Sequence, residues 1–301
     1  DRDRQAQLGH GGFIYSNGRW VQSLGPTSNP NANMRWEEKR ESNFGLDFSM
    51  FKGMISGNID YYIRDIKGLL YDYQVPSPPN LVTTTRANVG TMRNNGIEVL
   101  LNVAPVRKPD FEWNTSLLFS TNTNKLKSLS NELYQTTNDY FTAGGTGEPI
   151  QTFTNIVYIG QQIGDFYGFK VVDIDDKGKW IYEGADGAHV AYDDFAHSFE
   201  DKKVLGNGLP RYYAGWNNNF RYKNIDLAVT MRGAFDYQIL NFERMYVENP
   251  TLQNYNRLAS SEDLVFGKAR LNGPLEFNSY YIEDGDHWKI DNITLGYTFR
   301  N

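Results

Sequence analysis

The residues best suited to chemistry lie in one polar stretch, residues 173 to 197. The run Asp173-Ile174-Asp175-Asp176-Lys177-Gly178 sets acidic groups at alternate positions and glycine at the sixth, the order in which an oxygen-ligand calcium loop opens. Lys177 stands where a ligand is needed, and no bidentate acid follows near Gly184. Asp173 and Asp175 are therefore weak metal candidates, and the run reads better as a solvated turn. His189, Asp193 and His197, four apart, would share one face of a helix, which in so polar a loop is ordinarily solvated surface. Gly160, Gly164 and Gly168 recur in a non-helical context that suits close backbone packing. There is no H-E-x-x-H, no G-x-S-x-G and no phosphate-cradling glycine loop, and only four histidines. Neither catalysis nor a cofactor is expected. The second set of candidates is aromatic: Tyr158, Tyr167, Phe169, Trp180, Tyr182, Tyr246 and Tyr255, all in loop-like stretches. Flat amphipathic rings stack on sugar faces or hold peptide side chains, so these seven are the candidate substrate contacts. Most of them are expected simply to pack loops together.

What must position these loops is a set of strands, clearest at residues 212 to 235. Tyr212, Ala214, Trp216, Phe220 and Tyr222 alternate with Gly215, Asn217, Asn219 and Arg221. After Lys223 and Asn224, Ile225, Leu227, Val229, Met231, Gly233 and Phe235 alternate with Asp226, Ala228, Thr230, Arg232 and Ala234. This is a hairpin with one apolar and one polar face. Each run matches the ~9 to 11 residues of a tilted membrane-crossing strand, with rings toward its ends where the interfaces would lie.

Similar strands occur earlier. Phe44, Leu46, Phe48 and Met50 lead through a tight turn to Ile55, Ile59, Tyr61 and Ile63. Ile97, Val99, Leu101 and Val103 lead through residues 105 to 109 to Phe111, Trp113, Thr115, Leu117 and Phe119, with Leu100 and Leu118 as the two exceptions on the polar face. A last strand carries Ile293, Leu295, Tyr297 and Phe299. Trp288 and Ile290 have the opposite parity, so a β-bulge is expected near Asp291 and Asn292. A short hairpin is expected from Gly12 to Leu24 about Asn17-Gly18. Residues 71 to 89, with Pro76, Pro78 and Pro79, read as loose. Residues 128 to 210 and 236 to 280 read as long loops, with local strand content between Ile156 and Val172.

The 301 residues are 40% hydrophobic and 15% aromatic, with a formal charge of −6 and a mean hydropathy of −0.59. No run approaches the ~18 apolar residues of a membrane helix, which excludes a helical membrane protein but not a β-barrel. The absence of cysteine does not choose a compartment. Connections alternate between very short and very long, as in outer-membrane barrels with short periplasmic turns and long extracellular loops. The expected fold class is thus all-β: an antiparallel transmembrane β-barrel fragment of about seven crossing strands. Seven strands leave two open edges in hydrocarbon, so the barrel must be larger. Two other readings stay open, a soluble cell-surface binding module and a barrel component of an envelope secretion or assembly machine.

Several motifs add a family resemblance. Asn29-Pro30 through Trp36-Glu37, Phe44-Gly45-Leu46-Asp47, Gly57-Asn58-Ile59-Asp60-Tyr61-Tyr62, the stretch from Asn88-Val89-Gly90 through Asn95-Gly96-Ile97-Glu98, Ile163-Gly164-Asp165-Phe166-Tyr167-Gly168, and Tyr281-Ile282-Glu283-Asp284-Gly285-Asp286 with Leu295-Gly296-Tyr297 fall in one order. From about residue 29 onward the chain resembles the late barrel strands of the SusC/RagA-like TonB-linked outer-membrane transporters of Bacteroidetes. The resemblance implies a barrel of about 22 strands around an N-terminal plug. It also implies TonB as energy source, a SusD-like surface lipoprotein as lid, and import of oligosaccharides or peptides too large for porins. Residues 1 to 301 are then part of one barrel domain, with the plug and the final strands outside this chain. No nucleic-acid partner is expected.

Overall fold

The computed structural model describes residues 5–133, 139–251 and 256–299. In chain order the strands are β1 (Leu8–Ser16), β2 (Arg19–Pro26), β3 (Glu38–Met50), β4 (Ile55–Gln74), β5 (Thr84–Arg107), β6 (Phe111–Ser128), β7 (Tyr140–Gly145), β8 (Phe153–Tyr158), β9 (Asp165–Gly168), β10 (Val171–Ile174), β11 (Trp180–Glu183), β12 (His189–Ala191), β13 (Lys203–Asn207), β14 (Tyr212–Tyr222), β15 (Ile225–Phe235), β16 (Gln238–Leu240), β17 (Ile282–Asp284) and β18 (His287–Tyr297). A single short α-helix, α1 (Phe242–Val247), is found among the described residues, beside a few 3-10 turns. Seven strands form one antiparallel sheet in the order β18-β15-β14-β6-β5-β4-β3. Its end strands, β3 and β18, are hydrogen-bonded on one side only.

Register decides what each face carries, because residues directly opposite share a face. Leu46, Ile59, Val99, Phe119 and Ala214 stand in one row across β3, β4, β5, β6 and β14. Leu101, Leu117, Trp216, Met231 and Ile290 form another, and Phe220, Leu227 and Leu295 a third. Rings gather at the two ends of this band, Phe44, Tyr61 and Tyr212 at one and Phe111, Tyr222 and Tyr297 at the other. Trp113 stacks on Phe220 at 5.6 Å and Phe119 on Tyr212 at 6.0 Å. The opposite face carries Asp60, Glu98 and Ser120 in one row and Ser56, Asn102, Ser116, Asn217 and Thr230 in another. Leu100 and Leu118, the two exceptions in the alternation, lie directly opposite each other on this polar face. The expected bulge is present: Thr230 pairs with Asn292 but Met231 with Ile290, so Asp291 is the inserted residue, and it pairs with Arg232 at 2.7 Å.

The hairpin turns at one end of the sheet are tight. Phe51, Lys52 and Gly53 turn in the left-handed region with φ of 53°, 56° and 78°, and Lys223-Asn224 joins β14 to β15 in two residues. At the other end the strands extend further than the sequence reading allowed. The ladder between β4 and β5 continues to Gln74 and Thr84, so the stretch expected to be loose from residue 71 to 89 is mostly paired strand. Only residues 75–83 turn, and all three prolines fall there. Two register shifts, between Lys67 and Leu69 and between Leu69 and Leu70, break the period of two and hide this extension from a pattern search. The N-terminal hairpin likewise runs from Leu8 to Pro26, longer than expected, about Asn17 and Gly18.

Candidate functional site

The long connections fold into a structured layer rather than open loops. Strands β13-β9-β8-β7 make a four-stranded sheet, β10-β11-β12 a three-stranded meander and β16-β17 a pair. The layer is tied to the upper end of β6. Leu126 donates to the Gln161 carbonyl, Gly160 to the Leu126 carbonyl, and Ile163 to the Asn124 side chain at 2.7 Å. Leu126, Leu129 and Val157 are buried together at that junction.

The acidic run forms β10 and the turn into β11. Asp175 accepts hydrogen bonds from the backbone N–H groups of Lys177 and Lys179 at 2.9 and 2.8 Å, an Asx turn that fixes the bend. Gly178 has φ +83°, and a Cβ there would lie 2.1 Å from the Arg270 carbonyl, so the glycine admits the second long loop against the first. Asp173 bonds Ile174 N–H and pairs with Lys268, and the lysine holds its carboxyl below the usual carboxylate range. Among the described residues no three His, Cys, Asp or Glu side chains converge to hold a metal ion. The helical face proposed for His189, Asp193 and His197 does not form. His189 is exposed on β12, Asp193 sits in a 3-10 turn paired with Lys179 at 2.6 Å, and His197 lies beyond it with φ +53°.

The aromatic candidates divide by burial. Trp180 and Tyr182 are 1% and 0% exposed, in a core with Ile174, Phe195, Val265 and Leu271. Both side chains therefore lie inside the core of the meander rather than on its surface. Phe169 is partly buried against the same core, with the Lys202 ammonium 5.5 Å from its ring centre. Tyr246 stacks on Phe242 at 5.2 Å and donates to the Gly147 carbonyl at 2.9 Å. Tyr255 lies outside the described residues.

Tyr158 and Tyr167 remain, and they belong to a closed ring of four aromatic side chains. Tyr140 lies opposite Tyr158 across β7 and β8, 5.3 Å between centroids. Tyr158 meets Tyr167 of β9 at 6.4 Å, Tyr167 meets Phe199 at 5.5 Å, and Phe199 closes the ring on Tyr140 at 5.4 Å. Phe199 is 40% exposed, and Val204, opposite Tyr167 on β13, is 56% exposed. Partial burial, with Tyr158 as hydrogen-bond neighbour, pushes the Tyr167 phenol up, so that phenol stays a neutral donor at physiological pH. The result is an apolar platform edged by hydroxyls, suited to a sugar face or an apolar side chain. Tyr140 escapes a sequence reading because β7 and β8, whose pairing sets it against Tyr158, are short, and Phe199 because it reaches the ring from a 3-10 turn, Phe199–Asp201. The recurring tyrosines at 140, 158 and 167 are the only signal.

Comparison with known proteins places this layered sheet. Residues 9–194 match the family described as TonB dependent receptor-like, beta-barrel. The chain belongs to that family. Barrels of this family are outer-membrane proteins. TonB-dependent receptor P3 of Formosa agariphila is 26% identical over 281 residues, covering 89% of this chain and 28% of that protein. TonB-dependent receptor SusC of Bacteroides thetaiotaomicron is 28% identical over 293 residues, covering 91% of this chain and 28% of SusC. Two solved structures share the fold at 20% identity: the RagAB peptide transporter, TM-score 0.75 over 98% of this chain and 32% of that one, and the RagAB peptide importer in its open-open state, TM-score 0.78 over 99% and 32%. The chain therefore spans about a third of the length of the receptors it matches, and its seven-stranded sheet is a section of a TonB-dependent receptor barrel.

Proposed function

We propose that the protein carrying this barrel section imports oligosaccharides or peptides across the outer membrane in a TonB-dependent manner. In this reading the apolar face of the seven-stranded sheet meets lipid, the tight turns face the periplasm and the long connections face the exterior. A SusD-like lipoprotein serves as lid over the loop layer, and TonB acts through parts of the protein outside this chain. The observation that carries the reading is the combination of family membership with the aromatic ring of Tyr140, Tyr158, Tyr167 and Phe199 held on the long connections. Long loops on a rigid scaffold are where binding residues concentrate, and the relatives include a receptor named SusC and a transporter named for peptides.

The test is uptake by cells that depend on the full-length protein, offered labelled oligosaccharides and peptides in parallel. Tyr158→Ala with Tyr167→Ala is expected to lower uptake of one class by about tenfold, the loss of one to two kcal/mol of stacking. Heat-modifiable migration should remain that of an assembled barrel. Unchanged uptake of both classes by the assembled variant would refute the role given to this platform.

A further inference from the structure

The least satisfied polar atom of the layer lies two residues from Phe199. The His197 imidazole stands edge-on to four rings, those of Phe169, Tyr182, Tyr192 and Phe195, with centroids 5.3, 5.7, 4.8 and 4.9 Å away. Its Nδ1 lies 2.8 Å from the Phe195 carbonyl, which can only accept, so Nδ1 carries a proton. Its Nε2 is buried and has no hydrogen-bond partner among the described residues. What it faces, at 3.8 Å, is Oε2 of Glu276, whose other oxygen accepts from the Tyr182 hydroxyl.

These two groups belong to different long connections. Around Glu276 the second connection docks on the first: Asn272 N–H donates to the Gly178 carbonyl, Ser279 N–H to the Phe169 carbonyl, and Val171 N–H to the Ser279 hydroxyl, at 2.8, 3.0 and 2.9 Å. Trp180 packs on Tyr280 with centroids 4.9 Å apart. If neither group holds the extra proton, a carboxylate faces an imidazole lone pair in a mostly buried setting, which is repulsive and leaves an acceptor unpaired. With one proton between them, either the acid can donate to Nε2 or the imidazolium to the carboxylate once the 3.8 Å gap closes to hydrogen-bond distance, and both atoms are then satisfied.

We propose that His197 and Glu276 share one proton as a clasp between the two long connections, and that loss of this proton to solvent loosens residues 272–281 from the β10-β11-β12 meander. Burial pushes Glu276 up to about 7, which places the loss near neutral pH. The other charged or titratable groups facing the pair are Tyr182, Tyr192, Tyr281, Asp201 and Lys202. Burial raises all three phenols, bonding to Ser198 lowers Asp201, and burial lowers Lys202. The phenols and Asp201 are thereby moved away from neutrality, and Lys202 contacts the Phe169 ring rather than either member of the pair. Because His197 and Phe199 share one short segment, opening the clasp also frees one side of the four-ring platform. That consequence rests on the transport reading, whereas the clasp does not.

The test is hydrogen exchange by mass spectrometry on the full-length protein in detergent, corrected for the intrinsic pH dependence of exchange. In the native protein, protection of peptides within 272–281 should fall about tenfold between about pH 6 and about pH 8.5. Glu276→Gln, whose amide offers Nε2 a donor that does not titrate while its carbonyl accepts from Tyr182, should hold protection level across that range. Should Glu276→Gln fail to assemble, His197→Gln, which offers the carboxylate a donor that does not titrate, should make the fall in protection shallower than in the native protein. Protection that is independent of pH in the native protein, or that falls equally in an assembled variant, overturns the clasp and leaves the uptake test untouched.

Discussion

Asn218 interrupts the apolar row of β14, and its environment explains how a carboxamide is carried on that face. It is 6% exposed, accepts a hydrogen bond from the Trp113 indole at 3.1 Å and lies opposite Thr115, whose hydroxyl accepts from the Trp216 indole at 2.8 Å. Two polar side chains and two indoles thus satisfy one another beneath stacked rings. Trp113→Phe should leave the Asn218 carbonyl unpaired and cost about 1 to 3 kcal/mol, and adding Asn218→Val should recover most of it. Denaturant unfolding of the single and double variants checks both expectations. In the loop layer, bonds from Lys170 and then Lys203 hold the Glu183 carboxyl down to about 2. A carboxyl held below its unfolded value contributes stability that is complete above about pH 4.5 and is lost as pH falls toward about 2. Exchange protection of β10 to β12 should accordingly fall on acidification and fall less steeply in Glu183→Gln. The face of Asn218 could be read from the alternation but its partners could not, because they depend on which strand lies beside β14.

At the scale of elements, the hairpins were legible because a period of two over about ten residues survives in each strand between tight turns. The bulge at Asp291 was legible for the same reason, as a change of parity. The upper ends of β4 and β5 were not, since two register shifts reverse the parity where the pattern is needed. The loop strands are three to six residues long, below the length at which alternation separates strand from chance. That is also why Trp180 and Tyr182 resembled exposed rings: the meander that buries them is invisible without its pairing. The same alternation of short and long connections gives a topological prediction. Epitope tags inserted at Lys52, Lys108 or Lys223 should be shielded on intact cells, and a tag at Lys202 should be reached by antibody. Labelling at Lys223 on intact cells would reverse the proposed sidedness.

For the whole molecule, the central claim is that one face of the seven-stranded sheet meets lipid while the other lines an interior. Val229, near the middle of the apolar band, should tolerate arginine poorly, with Val229→Arg costing about 2 to 4 kcal/mol and Thr230→Arg, on the polar face, much less. A more direct measurement needs no destabilising change. The chain has no cysteine of its own, so single cysteines placed from 225 to 235 in the full-length protein can carry spin labels in membranes. Collision with lipid-soluble oxygen and with a water-soluble nickel complex then reports the surroundings of each position. Oxygen access should peak at residues 225, 227, 229, 231 and 233, and nickel access at 226, 228, 230 and 232, out of phase with a period of two. Profiles that rise and fall together, or that lack that period, would contradict the account.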